Sequence, residues 1–582
     1  MFREERDRGK VVVGQGSEKK YNSVDLRGVD VRILKGDAAV DAFGALSKHV
    51  LPVLAVSLAL FFLGSTILGA YRNFSPVPVV DSWLSMVDFY VRSSDDLSVW
   101  WAQHNEHRIF FSKLLFWLDM RYFDGSGQLL VPMNILLLLS IWALLCAYVN
   151  RLLADSPARE RLVVRAILAM PCLSWLQTQN IVSSFQSMFI LVFLVPLLAF
   201  YCYARALEAP AHASRWRFLS LALGLASIQC MANGIFVLPM LAAMSWFAER
   251  SPRRFFIVLF WAAVAVFLFL AGYKSSFAGS LGVAILLGQP WKIAEFVFAY
   301  LGNPLYTLFP REGLAIIGGG IVAALAIYMF LTRSVYRSQP YVLALFAYIG
   351  YVFASAGMTA TGRILFGASF SASSRYLTPA LTVWAVLLIL LLARSRRVGQ
   401  WSAVALAAAA VLLLSVQARA FKINTSNMGS PHNKAVSALS LQLDIHDVEA
   451  KKSLVRFHNE EFEAIFQRAR RAHVSIFSER YAYPANQFGR PLTEVGGEPC
   501  AGAITFQMLA DEARSAYRIG GDLKGRNRKR FRYVLFGDAQ GIVTGVAFAR
   551  RDVDGPTGPA GRAYFDGYFI GTPDVGAMRC IR

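Results

Sequence analysis

The chain has 582 residues, of which 55% are hydrophobic and only 17% charged, and its formal net charge is +21. The apolar residues come in blocks, such as LPVLAVSLALFFLGSTILGAY (51–71) and LLVPMNILLLLSIWALLCAYV (129–149), and an uncharged run of about 20 residues matches a bilayer's hydrocarbon thickness at helical rise. This excludes a soluble protein, and the charge does not point to nucleic acid: the Lys and Arg residues gather in short segments between the blocks (151–165, 215–217, 249–254, 333–337, 394–397), where they set orientation in a membrane.

A polar segment, 1–49, opens the chain and is not built like a short basic leader feeding a cleavable apolar core. It is expected to be cytoplasmic, with the first apolar block an uncleaved anchor. Eleven spans are expected, at 50–71, 129–149, 162–176, 187–204, 217–232, 234–248, 255–272, 313–332, 341–358, 377–393 and 401–420. Together they form a helical membrane domain over 50–420, with a long outer loop at 72–128. Placing the basic segments inside puts that loop, the turns at 177–186, 273–312 and 359–376, and everything after 420 on the far side. The stretch 279–306 is interrupted by Gly, Pro, Lys and Glu and reads as a helix on the outer surface rather than a span.

Residues 421–582 are of a different kind. Apolar residues at helical spacing mark 431–473. Short alternating runs such as RFRYVLFG, GIVTGVAFA and RAYFDGYFIG, separated by Gly turns, mark strands after it. The expectation is an outer α+β or β-sandwich domain. Four of the six cysteines (146, 172, 202, 230) fall within spans, whereas Cys500 and Cys580 lie in this domain and would pair in an oxidising compartment. Its basic run GRNRKRFR (525–532) suits an acidic glycan or lipid headgroups as well as a solvated turn.

The polar groups that could do chemistry fall on the outer side. The first outer loop carries Asp81, followed closely by Trp83, and then WWAQHNEHRIFFSK (100–113). If the latter is helical, His104, His107 and Arg108 share one face and Glu106 points elsewhere. The pattern is not HExxH. These groups either hold the loop together by side-chain bonds, or serve a reading in which no cofactor is required and a carboxylate acts as a base; a divalent metal on Asp81, His104 and His107 is a weaker alternative to both. Downstream, RIFFSKLLFWLDMRYF reads as an amphipathic helix on the membrane surface. In TATGRILFGASFSASSRYLTPA (359–380), Arg363 and Arg375 flank small residues, which suits an anionic headgroup; Lys274 adds a third positive charge. Gln179, Asn180, Trp175, Gln186 and Asn233 supply amides and an aromatic ring of the kind that bind sugars, or that join helices.

Asp81, HNEHR (104–108) and the GR…SRY run (Gly362, Arg363, Ser374, Arg375, Tyr376), set in this layout, resemble the GT-C superfamily of polyprenyl-phosphate-sugar-dependent glycosyltransferases of bacterial membranes. The resemblance implies a GT-C-like fold in the inner membrane, with active site and C-terminal domain in the periplasm. It implies inverting transfer of a hexosyl or pentosyl group, arabinose or mannose for example, from a polyprenyl-phosphate donor to an envelope glycan, lipid or protein. Asp81 would be the general base. The superfamily's acidic pair after the first span is broken here by Ser82, so Glu106 is the second candidate. Arg375, Arg363 and Lys274 would hold the donor phosphate. His104, Asn105, His107, Arg108, Tyr376, Trp83, Gln179 and Asn180 would line the substrate pockets. The alternatives are a polysaccharide polymerase or ligase using lipid-diphosphate-linked glycans, or a lipid-linked sugar transporter. Charges at one face and the lack of a repeat weigh against a transporter.

Overall fold

A computed structural model describes residues 37–274, 284–285, 287–336, 339–395, 411–423, 431–455, 460–509, 515–524, 531–549 and 563–582. Two compact units are distinguished, 1–50 and 51–582. The described part of the first is helical from Asp37, within the Asp37–Asn73 helix. Most of the polar 1–49 segment, the span residues 401–410 and the basic run 525–530 lie outside the described residues.

Among the described residues, eight helices are long and apolar enough to cross a membrane: Val50–Asn73, Leu130–Leu152, Ser184–Glu208, Ala232–Glu249, Pro252–Leu270, Glu312–Leu331, Gln339–Phe366 and Ser374–Arg394. They match eight of the expected spans. The segments at 162–176 and 217–232 are shorter helices, Ala158–Cys172 and Ala213–Ser227, of 15 residues each. At 1.5 Å per residue each covers about 22 Å, less than a bilayer's apolar thickness. The helices satisfy their own backbone groups, the condition for crossing lipid.

Side-chain bonds sort the helix ends onto two faces. At one face Asn180, Arg375, Arg108, Phe269, Asn303 and Ser373 meet. The opposite face carries the basic segments. There Glu208 joins Arg151 (3.5 Å), Arg205 (2.5 Å) and Tyr341 (2.6 Å), and Glu249 joins Arg217 (2.5 Å) and Tyr203 (2.9 Å). Basic residues concentrated at one end of a bundle are the asymmetry expected of a membrane protein.

Within 279–306, expected as a surface helix, the described Pro290–Leu301 helix buries Ile293, Phe296, Tyr300 and Leu301 in the bundle and leaves Trp291, Lys292 and Glu295 exposed. Glycines make this approach close: a Cβ at Gly302 would strike the Ala315 carbonyl, and one at Gly319 the Phe298 carbonyl. Small residues at such crossings let backbones touch. Because the two contacts run in opposite sense, the helix is antiparallel to Glu312–Leu331 and is only 12 residues long.

The C-terminal part is α+β. Its helical segment divides into Pro431–Gln442, Val448–Lys452 and Glu460–Arg471. The β-sandwich alternative is not realised, because the strands form one antiparallel sheet in the order β1-β7-β4-β5-β6-β3-β2. These strands are β1 (Glu498–Pro499), β2 (Ala501–Met508), β3 (Ala516–Lys524), β4 (Tyr533–Gly537), β5 (Val543–Ala549), β6 (Ala563–Ile570) and β7 (Ala577–Ile581). Cys500 and Cys580 are joined as expected, beside the β1–β7 pairing. This part packs on the first loop: Arg468 pairs with the buried Asp88 (2.6 Å), Phe466 packs edge-on against Trp83 (4.8 Å), and the Val80 amide donates to the Leu454 carbonyl (2.6 Å). The loop 72–128 and the C-terminal part therefore share a face.

Candidate active site

The loop leaves the first membrane helix through 74–79 and reaches Val80 in a left-handed conformation (φ +47°). That is a strained state for a β-branched residue, imposed here by the bond to Leu454. Asp81 follows, half-buried, and a π-helical turn (Trp83–Asp88) begins two residues on, a feature that often re-aims side chains near functional sites. The turn buries Ser85 and Asp88. Trp83 is fully buried against Phe466. Its expected role in substrate binding is corrected, since a ring with no exposed face cannot stack on a sugar.

HNEHR is not helical. His104 and His107 exchange both backbone bonds (2.8 and 2.9 Å) across a two-residue turn, with Asn105 at φ +47°. Asn tolerates the left-handed region better than most residues. The turn sets the side chains to separate tasks. The His104 ring is buried, bonds to the Ser85 hydroxyl and to Asn105 (3.1 Å), and packs on Phe185. Burial holds its pKa down to about 4, against a smaller upward pull from Asp81, so it is neutral at physiological pH. Arg108 points the other way. Its guanidinium donates to the carbonyls of Trp101 (2.7 Å), Phe269 (3.1 Å) and Ala271 (2.5 Å), tying the loop to the C-terminal end of the Pro252–Leu270 helix. Lys113, one turn into the amphipathic helix (Phe110–Phe123), does the same for the carbonyls of Val99 (2.6 Å) and Ala102 (2.7 Å). Arg108 is thus a strut rather than a wall of a pocket.

Glu106 and His107 face a cavity of about 230 Å³ whose other side is built by Arg363, Arg375 and Tyr376. Two motifs more than two hundred residues apart meet there. Arg363 ends the Gln339–Arg363 helix and pairs loosely with Glu106 at 3.6 Å. Arg375 donates through Nε to Ser373 (3.2 Å) and lies among the rings of Phe189, Phe370 and Tyr376. Tyr376 in turn stacks beside Tyr300 (5.1 Å). His107 is held neutral by burial, its pKa lowered to about 4. Its Nδ1 is buried with no hydrogen-bond partner among the described residues. Such an orphaned group is costly unless something bonds to it.

Asn180, expected to touch substrate, is fully buried and instead supports the cavity wall: its Nδ2 donates to the Arg375 carbonyl (3.0 Å) and to Thr378 (2.7 Å). The Gln179 amide nitrogen bonds to Ser374 (3.3 Å). Trp175 is buried in a stack on Phe421. Lys274 is exposed, its backbone bonded to Gln103 (3.0 and 2.8 Å), and its neighbour Tyr273 lines the cavity in its place. Asp81 is not among the lining residues, and Glu106 is the acid that is. The lining also contains Met231, Met358 and Thr361. Sequence reasoning missed these because a methionine or a threonine beside a singled-out amide or arginine carries no chemical signal of its own. Asn233, between Ala232 and Gly234, does line it. Among the described residues no three of His, Cys, Asp and Glu are disposed to hold a metal ion, and the His104 ring is already occupied by Ser85 and Asn105.

The chain matches no family model, no curated protein and no solved structure.

Proposed function

We propose that the protein is an integral-membrane glycosyltransferase of GT-C-like architecture with eleven spans, moving a sugar from a polyprenyl-phosphate donor to a cell-envelope acceptor. The observation that carries this reading is the cavity in which a carboxylate and a neutral imidazole, whose Nδ1 has no partner among the described residues, face two arginines at the end of a helical bundle. Arg375 and Arg363 suit a phosphate at the interface, its polyprenyl tail lying in lipid. The orphaned His107 Nδ1 suits a sugar hydroxyl. Glu106 takes the proton of the acceptor hydroxyl, whose oxygen attacks the anomeric carbon as the bond to phosphate breaks. The leaving phosphate gains negative charge, and fixed cations beside it stabilise that change most. One lining acid fits a single inverting displacement better than a double one, which needs two carboxylates. Asp81, whose charge acts on His104 from behind the turn, is the alternative base.

Two features support a bacterial inner membrane with the site in the periplasm. The face opposite the cavity carries the basic segments, and the C-terminal part, which shares the cavity's face, holds a disulfide. The test is transfer from synthetic short-chain polyprenyl-phosphate sugars by purified protein with envelope extracts as acceptor. Glu106→Gln is expected to abolish transfer and keep donor binding. Loss with Asp81→Asn alone would assign the base to Asp81. Turnover only with lipid-diphosphate-linked glycans would replace the proposal by a polymerase or ligase, and no turnover with any donor would overturn it.

A further inference from the structure

A second cavity, of about 500 Å³, opens between the chain leaving the first membrane helix and the C-terminal part. Its walls come from both: Phe74, Pro76 and Gln128 on one side, and residues of the 476–484 segment, β4 and the C-terminus on the other. Its volume is within the range of sites for small organic ligands.

We infer that this cavity binds a saccharide carrying acidic groups; its role as the acceptor site rests on the glycosyl-transfer reading, but the binding itself does not. The charge is one-sided. Arg480, Arg532 and Arg582 come to the lining from separate segments, and among the described residues no Asp or Glu is part of it. Arg582 is steadied by Glu498 from outside the lining, and Arg480 lies over the Tyr481 ring at 5.5 Å. Guanidinium groups so placed recognise carboxylate or phosphate through paired bonds. The remaining surface suits a pyranose or furanose ring. Tyr483 is half-exposed, an amphipathic ring of the sort that covers C–H faces while its hydroxyl stays wet. Gln128 donates to the Tyr481 hydroxyl (3.2 Å), leaving amide and phenol oxygens at the rim for sugar hydroxyls. The segment 74–77 that forms one wall runs directly into Val80 and Asp81. The two cavities are therefore both built on the 72–128 loop, with Phe74, Pro76 and Gln128 lining one and Glu106 and His107 the other.

The experiment measures calorimetric binding to full-length protein in phosphatidylcholine nanodiscs without any donor. The probes are trigalacturonic acid and the neutral maltotriose. Wild type is expected to bind the acidic trimer at least tenfold more tightly, with affinity falling as salt rises. Arg480→Ser/Arg532→Ser is expected to lose at least tenfold, while Arg375→Ala in the first cavity changes nothing. If the double variant does not fold, each single substitution is read alone, with a loss of threefold or more expected. Equal affinity for the two trimers, no binding of either, or affinity unchanged in the arginine variants would overturn the inference. So would full displacement of the acidic trimer by equimolar glycerophosphoglycerol, which would make the site one for lipid headgroups. Because no donor is present, a failed transfer assay leaves this result standing, and the reverse also holds.

Discussion

Replacing Arg375 by Ala separates the two cations of the first cavity by function. Arg363 sits 3.6 Å from Glu106 and shares its charge with that carboxylate. Arg375 has no carboxylate partner among the described residues; its neighbours are the Ser373 hydroxyl and three aromatic rings. On the proposed reading it is therefore the cation whose full charge would meet the donor phosphate. One charge-assisted hydrogen bond contributes about 1.5–3 kcal/mol, or roughly 10- to 150-fold in affinity at about 1.4 kcal/mol per decade. The charge on the leaving phosphate grows as the glycosidic bond breaks, and donors aimed at such charge contribute about 10²–10³ in kcat. Arg375→Ala should thus lower kcat by about 10²–10³ and raise the donor KM by roughly tenfold. Arg375→Lys, which keeps the charge without the planar fork, should fall between. The assay is transfer from a radiolabelled short-chain donor, with initial rates at several donor concentrations. Rates within threefold of wild type for Arg375→Ala, at unchanged donor KM, would refute the assignment and move the phosphate away from this cavity.

Three further outcomes follow from the same structure. His104 and His107 are held neutral with pKa values lowered from 6.5 to about 4, so between those values the unfolded chain binds protons that the folded one does not, and stability must fall as pH drops through that window and level off below it; thermal unfolding of wild type should show this slope, and His107→Asn should flatten it. Among the described residues, Arg468→Met leaves the carboxylate of Asp88, itself 4% exposed, with only the 3.6 Å contact to Arg92; loss of a buried partner costs about 3–5 kcal/mol, less here because Arg468 is 40% exposed, and Asp88→Asn added to Arg468→Met should recover much of it in the same unfolding assay. Cys500→Ser opens a covalent loop spanning 80 residues, worth up to about 4 kcal/mol in the chain-entropy view, and should sensitise the C-terminal part to protease while leaving the membrane helices intact.

Much of this architecture is legible in the sequence because its causes are local. A run of apolar residues near 20 long has one stable solution in lipid, and the spans at 50–71, 129–149 and 313–332 are where composition puts them. Alternation marked β4, β5 and β6, and the two cysteines outside the spans are the two that pair. The failures have physical causes too. The Pro290–Leu301 helix carries Lys292 and Glu295 on an exposed face, as its sequence suggests, but the seating of its other face through close backbone contacts at Gly302 and Gly319 was not legible; complementarity between residues far apart leaves no periodic signal. Trp83 reads as a substrate-pocket residue for the same reason. Nothing nearby in sequence announces Phe466, which covers it from nearly four hundred residues away.

HNEHR shows how one error of local structure redistributes every role. On a helix, His104, His107 and Arg108 would form one wall and Glu106 would face away. In the turn, Asn105 takes the corner, and the neighbours Glu106 and His107 reach the cavity together, while His104 braces the π-helical turn and Arg108 braces a helix end. The decisive residue is Asn105, whose left-handed backbone a helix interior would not accept. Its signal was available, since asparagine in a short polar stretch between two apolar ones is a turn residue. Read as a turn, the motif puts a carboxylate beside the arginines of 363–375 and makes Glu106, not Asp81, the acid that faces them. On the proposed reading, which acid is the base thus turns on two bonds between His104 and His107, and comparing Glu106→Gln with Asp81→Asn tests that turn as directly as it tests the chemistry.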